Sequence, residues 1–291
     1  ATDSHNTAVG YNAGVAVTTG INNTLIGATS GDAITTGQQN TAVGRATLGA
    51  TTTANNNTAM GYYALTSNTT AADNTAFGAS ALGANTTGSS NTAVGKGAGL
   101  SVTTGIENVL IGGSAGDALT DADYNVAVGT AALTQDTLGS RSVAIGQEAL
   151  SAQNFTTATN AYNTAVGFTA GKVITTGIYN TLIGANAGDA LTDADTNVAV
   201  GADSLGADTK GSKSTAVGHS ALEAQNFTTS TQTFNTAIGS DAGKAISTGV
   251  QNTLIGSGAG DALTDSDENV AVGYGALSTD TLGQYSVAIG R

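Results

Sequence analysis

The chain has 291 residues, 41 of them glycine and none proline, cysteine or tryptophan, with charged residues at 10% and aromatics at 4%. Such material cannot fill a compact core with large side chains and excludes a disulfide scaffold, yet 40% apolar content is too high for simple disorder. A net charge of −13, with eight Lys and Arg that form no cluster, argues against a nucleic-acid surface, and no apolar run is long enough to span a membrane.

The first recognisable element is Asn-Thr-Ala-Val-Gly at 6–10, and it returns as Asn-Thr-Leu-Ile-Gly at 23–27, Asn-Val-Ala-Val-Gly at 125–129 and Ser-Val-Ala-Ile-Gly at 142–146. Its closing glycines run from Gly10 through Gly27 and Gly44 to Gly290 at a constant interval of seventeen, which lengthens to twenty-one only after Gly146 and Gly218. That period is too short for a helical hairpin repeat and suits one coil of two short strands and two turns. The fold class expected is all-β: a parallel β-solenoid of seventeen coils, each of seventeen residues, with two four-residue insertions, continuous over 1–291. At ~4.8 Å per coil it would form a rod on the order of 80 Å long. The last coil breaks off at Arg291, so the chain is expected to continue in the native protein.

Each place in the five-residue unit has a physical reason. Glycine turns the chain at the strand end. The first place is Asn, except at Ser142, Ser214 and Ser286; Asn tolerates the left-handed region, and stacked amides bond from coil to coil. The third (Ala or Leu) and fourth (Val9 through Met60 and Phe77 to Ile289) are both always apolar. Adjacent strand residues point to opposite faces, so one column fills the coil and the other must be covered. Another chain is the expected cover, which makes the protein a homo-oligomer. A further column, from Thr18 and Thr35 to Thr264 and Thr281, is expected to be a Thr ladder at a solvent-facing strand or corner.

Ser-Val-Ala-Ile-Gly-Gln-Glu-Ala-Leu-Ser-Ala (142–152) and Tyr-Ser-Val-Ala-Ile-Gly (285–290) resemble the head repeat of trimeric autotransporter adhesins, the YadA-like head; similar arrays occur in trimeric phage tail fibres. The resemblance implies a left-handed β-roll, a parallel trimer and an extracellular place on a cell surface or virion, where the fibre attaches to a glycan or surface-protein receptor.

Catalysis has little support: His5 and His219 lie on distant coils, and no nucleophile or phosphate-binding motif is present. No enzymatic activity is expected. Acidic residues do recur as a set. Asp117, Asp121, Asp123 and Asp136 return as Asp189, Asp193, Asp195, Asp208 and as Asp261, Asp265, Asp267, Asp280. Four carboxylates at one corner would suit Ca²⁺, with a solvated acidic corner as the alternative. The insertions, Gln-Asn-Phe-Thr-Thr at 153–157 and 225–229, are expected to leave the coil as bulges. Their residues Asn154, Phe155, Thr156, Asn226, Phe227 and Thr228 are candidate ligand contacts, against the alternative that the Phe folds back over the coil or packs between protomers. A fibrous adhesin head or fibre segment is the leading function. A phage tail-fibre shaft and an ice-binding solenoid, suggested by the Thr columns, are the alternatives.

Overall fold

The computed structural model describes residues 4–291, and among these there is no helix. The chain forms a parallel β-solenoid of about 17 turns. Its contacts divide it into two compact units, Ala1–Ser142 with Asn154–Thr159, and Val143–Gln153 with Asn160–Arg291. The first contains eight three-residue strands, from Thr7–Val9 to Val126–Val128; the second contains nine, from Val143–Ile145 to Val287–Ile289. Within each unit every such strand pairs in parallel with the next, Thr24↔Thr41 and Thr181↔Val198 being examples. Register survives the insertions: Ala144 faces Ala165 and Ala216 faces Ala237, although each of these two steps is four residues longer than the rest.

Only one strand of this length forms per turn, not two. Where the second was expected, a polar column closes the corner instead: Thr18 Oγ1 donates to Thr35 O at 3.0 Å, Thr69 to Thr86 O at 3.0 Å and Thr264 to Thr281 O at 2.9 Å. In the second unit a two-residue pair, Gly211–Ser212 with Thr231–Gln232, accompanies the insertion.

The Asn column is a buried ladder. Asn40 donates its backbone N–H to Asn23 Oδ1 at 3.0 Å and its Nδ2 to Ala54 O at 2.8 Å, and its own Oδ1 accepts the N–H of Asn57 at 3.0 Å. A backbone donor and a carbonyl that the strand leaves over are thus paired inside the coil, where each would otherwise cost about 1–3 kcal/mol. Left-handed backbone belongs to the residue before Asn, not to Asn: every residue at that place, from His5 (φ 44°) and Tyr124 (φ 60°) to Tyr285 (φ 57°), has positive φ. The closing glycine is obligatory for two reasons. At Gly184 φ is +137°, and a Cβ would stand 2.4 Å from Gly201 O on the next turn.

The ambiguity between the two apolar columns is resolved. Third-place residues such as Leu25, Ala42, Leu182 and Ala199 are fully buried. The fourth faces outward, and Ile26, Ile111, Ile183 and Ile255 stay 37–40% exposed. Core volume is balanced turn by turn. Leu182 lies between Gly171 and Gly188, where a Cβ on either glycine would come within 2.8 Å of a leucine methyl, and Leu254 sits in the same way between Gly243 and Gly260. Where the strand residue is alanine on both sides, a leucine such as Leu65 or Leu82 takes the glycine's place and is fully buried. Three residues further along, the glycine turns carry an apolar residue (Ile34, Val102, Leu119, Ile174) and the leucine turns a polar one (Asn68, Asn85, Asp136, Asp208). Those polar residues are buried and close their own corners, Asn68 Nδ2 donating to Ala71 O at 3.0 Å and Gly139 N–H to Asp136 Oδ1 at 3.0 Å.

Candidate functional site

The acidic sets do not converge. Among the described residues no group of three or more His, Asp or Glu side chains could hold a metal ion. The fourth member of each set departs for a physical reason: it follows a leucine turn at a place that points inward. Asp136 and Asp208 are completely buried and belong to the core. Most of the others serve neighbouring turns singly. Asp123, Asp195 and Asp267 each accept a backbone N–H (of Ile106, Ile178 and Val250) at 2.8 Å. Asp121 and Asp265 accept the hydroxyls of Thr104 and Thr248 at 2.6 and 2.7 Å, and Asp117 that of Thr134 at 2.5 Å. Asp193 lies 3.6 Å from Lys210 Nζ. Asp189 is half-buried, and that burial, with Asp203 nearby, raises its carboxyl above the usual range. Asp261 is half-buried, and Asp280 turns back on its own corner, accepting the N–H of Gly283 at 2.8 Å.

The insertions keep register as expected but do not present their aromatic rings. Phe155 and Phe227 are only 6% and 7% exposed. The buried aspartate of the preceding turn draws them in: Phe155 N–H donates to Asp136 Oδ1 and Phe227 N–H to Asp208 Oδ1, both at 3.0 Å. Thr209 Oγ1 holds Phe227 O at 2.7 Å. The Phe155 ring and the Asp136 carboxylate occupy the space that a side chain at Gly139 would need. Gln153 and Gln225 complete the device. Each stands after a turn whose unit begins with serine, and its Oε1 accepts the Nδ2 of the next ladder residue, Asn163 at 2.9 Å and Asn235 at 2.8 Å. That is the bond an Asn Oδ1 makes in ordinary turns. Gln225 Nε2 also donates to Asp208 Oδ2 at 2.5 Å. The insertion therefore shows outward only Asn154, Thr156 and Thr157, and Asn226, Thr228 and Thr229.

Most hydroxyls of the Thr column donate to a carbonyl one turn on, as at Thr18, Thr35, Thr69 and Thr86. What each unit does present is the outer strand face, where a Thr or Val and a Val, Ile, Met or Phe recur on every turn with no charge among them. Tyr124, Tyr162, Tyr179 and Phe234 are exposed on a separate column, the left-handed one. Tyr162 and Tyr179 stack on each other at 5.3 Å, the Arg141 guanidinium covers Tyr124 at 4.6 Å, and Lys213 covers Phe234 at 5.2 Å. These rings spend their faces on one another or on cations.

No protein-family profile matches the chain, and no curated protein is detectably similar to it.

Proposed function

We propose that the chain is a non-catalytic segment of an extracellular fibre, an adhesin head or a fibre shaft, assembled from parallel copies of itself. The observation that carries this reading is the outward apolar column at the fourth strand place, half-exposed and free of charge on turn after turn. An uncovered apolar strip of this regularity is uncommon on a monomer. A partner that matches it must repeat with the same period, and a second copy of the chain does so residue for residue. Three copies around one axis is the arrangement implied by the resemblance of the Ser-Val-Ala-Ile-Gly units to trimeric adhesin heads. Rigid repetition would then give multivalent display to a glycan or surface-protein receptor.

Cysteine reporters test this, because the chain has none of its own. Ile183→Cys should be protected from a maleimide and should form disulfide-linked species on mild oxidation, whereas exposed Asp193→Cys should label at once and stay uncrosslinked. Equal labelling of the two would overturn the proposal.

A further inference from the structure

Segments 163–218 and 235–290 are near copies that differ at 21 of 56 positions. Six of these differences fall together in one place. In the earlier copy a chain of side chains runs from turn to turn: Thr169 Oγ1 donates to Asn186 Oδ1 at 2.6 Å, and Asn186 Nδ2 to Asp203 Oδ1 at 2.9 Å. The later copy has Asp241, Gly258 and Gly275 at these positions, with Tyr274 for Ala202. The two glycines leave a groove of about 280 Å³, which Ser257, Ser278 and Asp261 also line. Six of its seven lining residues differ from their counterparts, Asp261 alone being shared.

The groove's chemistry is mixed. A methyl at Gly258 would stand 3.4 Å from Asp261 Oδ2 and one at Gly275 3.7 Å from Ser278 Oγ, so both polar atoms overlook the floor. Asp261 Oδ1 is shielded from solvent and has no hydrogen-bond partner. At the other end Asp241 is held by Lys244 Nζ at 3.1 Å and Ser240 Oγ at 3.2 Å, and Lys244 keeps its carboxyl below the usual range. The Arg291 guanidinium lies 5.7 Å from the Tyr274 ring centre. Carboxylates only accept, so they select a ligand edge that offers several donors, and the phenol ring offers an apolar wall. A hydroxylated ring with a C–H face meets both demands. The volume, just under the range for drug-sized ligands, fits one such ring and not a chain of them. Asp241 is already paired with Lys244, so it is the Asp261 carboxylate in the lining that disfavours an anionic ring.

We propose that this groove binds a single uncharged hexose unit of a glycan. The proposal deepens the surface-display reading by naming a ligand class, and it rests on that reading only for its biological setting. The intact chain is titrated with methyl glucoside, galactoside and mannoside, and with methyl glucuronide as the anionic probe, by saturation-transfer NMR. Saturable binding of at least one neutral glycoside in the range of about 1 mM is expected, with little from the glucuronide. Tyr274→Ala should weaken it at least tenfold. Gly258→Asn with Gly275→Asp, which restores the side chains of the earlier copy in the same left-handed backbone, should abolish binding while melting and mass stay unchanged. No saturable neutral binding, a preference for the glucuronide, or binding that survives the refilled groove or the loss of the ring would overturn the proposal. Mass by light scattering on the same samples keeps a failure of assembly separate from a failure of binding.

Discussion

Asn180→Leu removes one rung of the ladder while keeping the branched shape and the number of heavy atoms. Asn180 Oδ1 accepts the N–H of Asn197 at 3.0 Å, and its Nδ2 donates to Ala194 O at 2.8 Å. Its backbone N–H still reaches Asn163 Oδ1 at 2.9 Å, so the upstream rung survives. Two backbone groups, the Asn197 N–H and the Ala194 carbonyl, are left buried without partners. At about 1–3 kcal/mol each the loss is about 2–6 kcal/mol. Because each turn touches only its neighbours, the damage should be local. Hydrogen exchange should accelerate at the amides of Thr181–Ile183 and Val198–Val200 before the chain melts as a whole, and the melting midpoint should fall. Gln251→Ala, at an exposed place just outside the ladder, is the control and should cost less than about 0.5 kcal/mol. If Asn180→Leu costs no more than the control, the ladder is not what holds successive turns together.

Gly184→Ala, with φ +137° and a 2.4 Å approach to Gly201 O, should prevent that turn from forming, whereas Gly113→Ala, with nothing within 4 Å of its Cβ, should leave circular dichroism and melting unchanged. Phe227→Ala should cost about 3–5 kcal/mol in denaturant unfolding, as for other buried aromatics; a loss below about 1 kcal/mol would mean that the ring is not packed as described. Asp189 gives a pH dependence. Its carboxyl is raised in the folded state, so the folded chain holds the proton longer than the unfolded one, and stability falls as pH climbs from about 4 through the raised value. Asp189→Asn should flatten this decline and raise the melting midpoint at pH 7, and an unchanged pH profile would contradict it.

Much of the fold could be read because the solenoid writes its period into the sequence. Gly10 to Gly290 gave the turns, and the Asn column gave the amide stack. The third and fourth columns could be recognised as opposite faces, but not which was inner, since alanine and valine suit either. Corners were harder. Strand alternation says nothing about a turn, so spacing alone groups Asp136 with Asp117 and Asp121, although it points inward beneath Phe155. The left-handed place escaped notice because residues as different as His5, Tyr124 and Lys213 occupy it. One signal was available. Asp136 and Asp208 share their place with Ile174 and Leu191, and a position that alternates between branched apolar and polar residues in register with leucine and glycine is an interior one.

The measurement that bears most directly on assembly is the mass of the intact chain by multi-angle light scattering across a dilution series. The outward apolar column predicts a stable multiple of 28.2 kDa, three copies by the adhesin resemblance, that Ile183→Glu with Ile255→Glu reduces to single chains. A folded, soluble monomer for the unaltered chain at every concentration would contradict it.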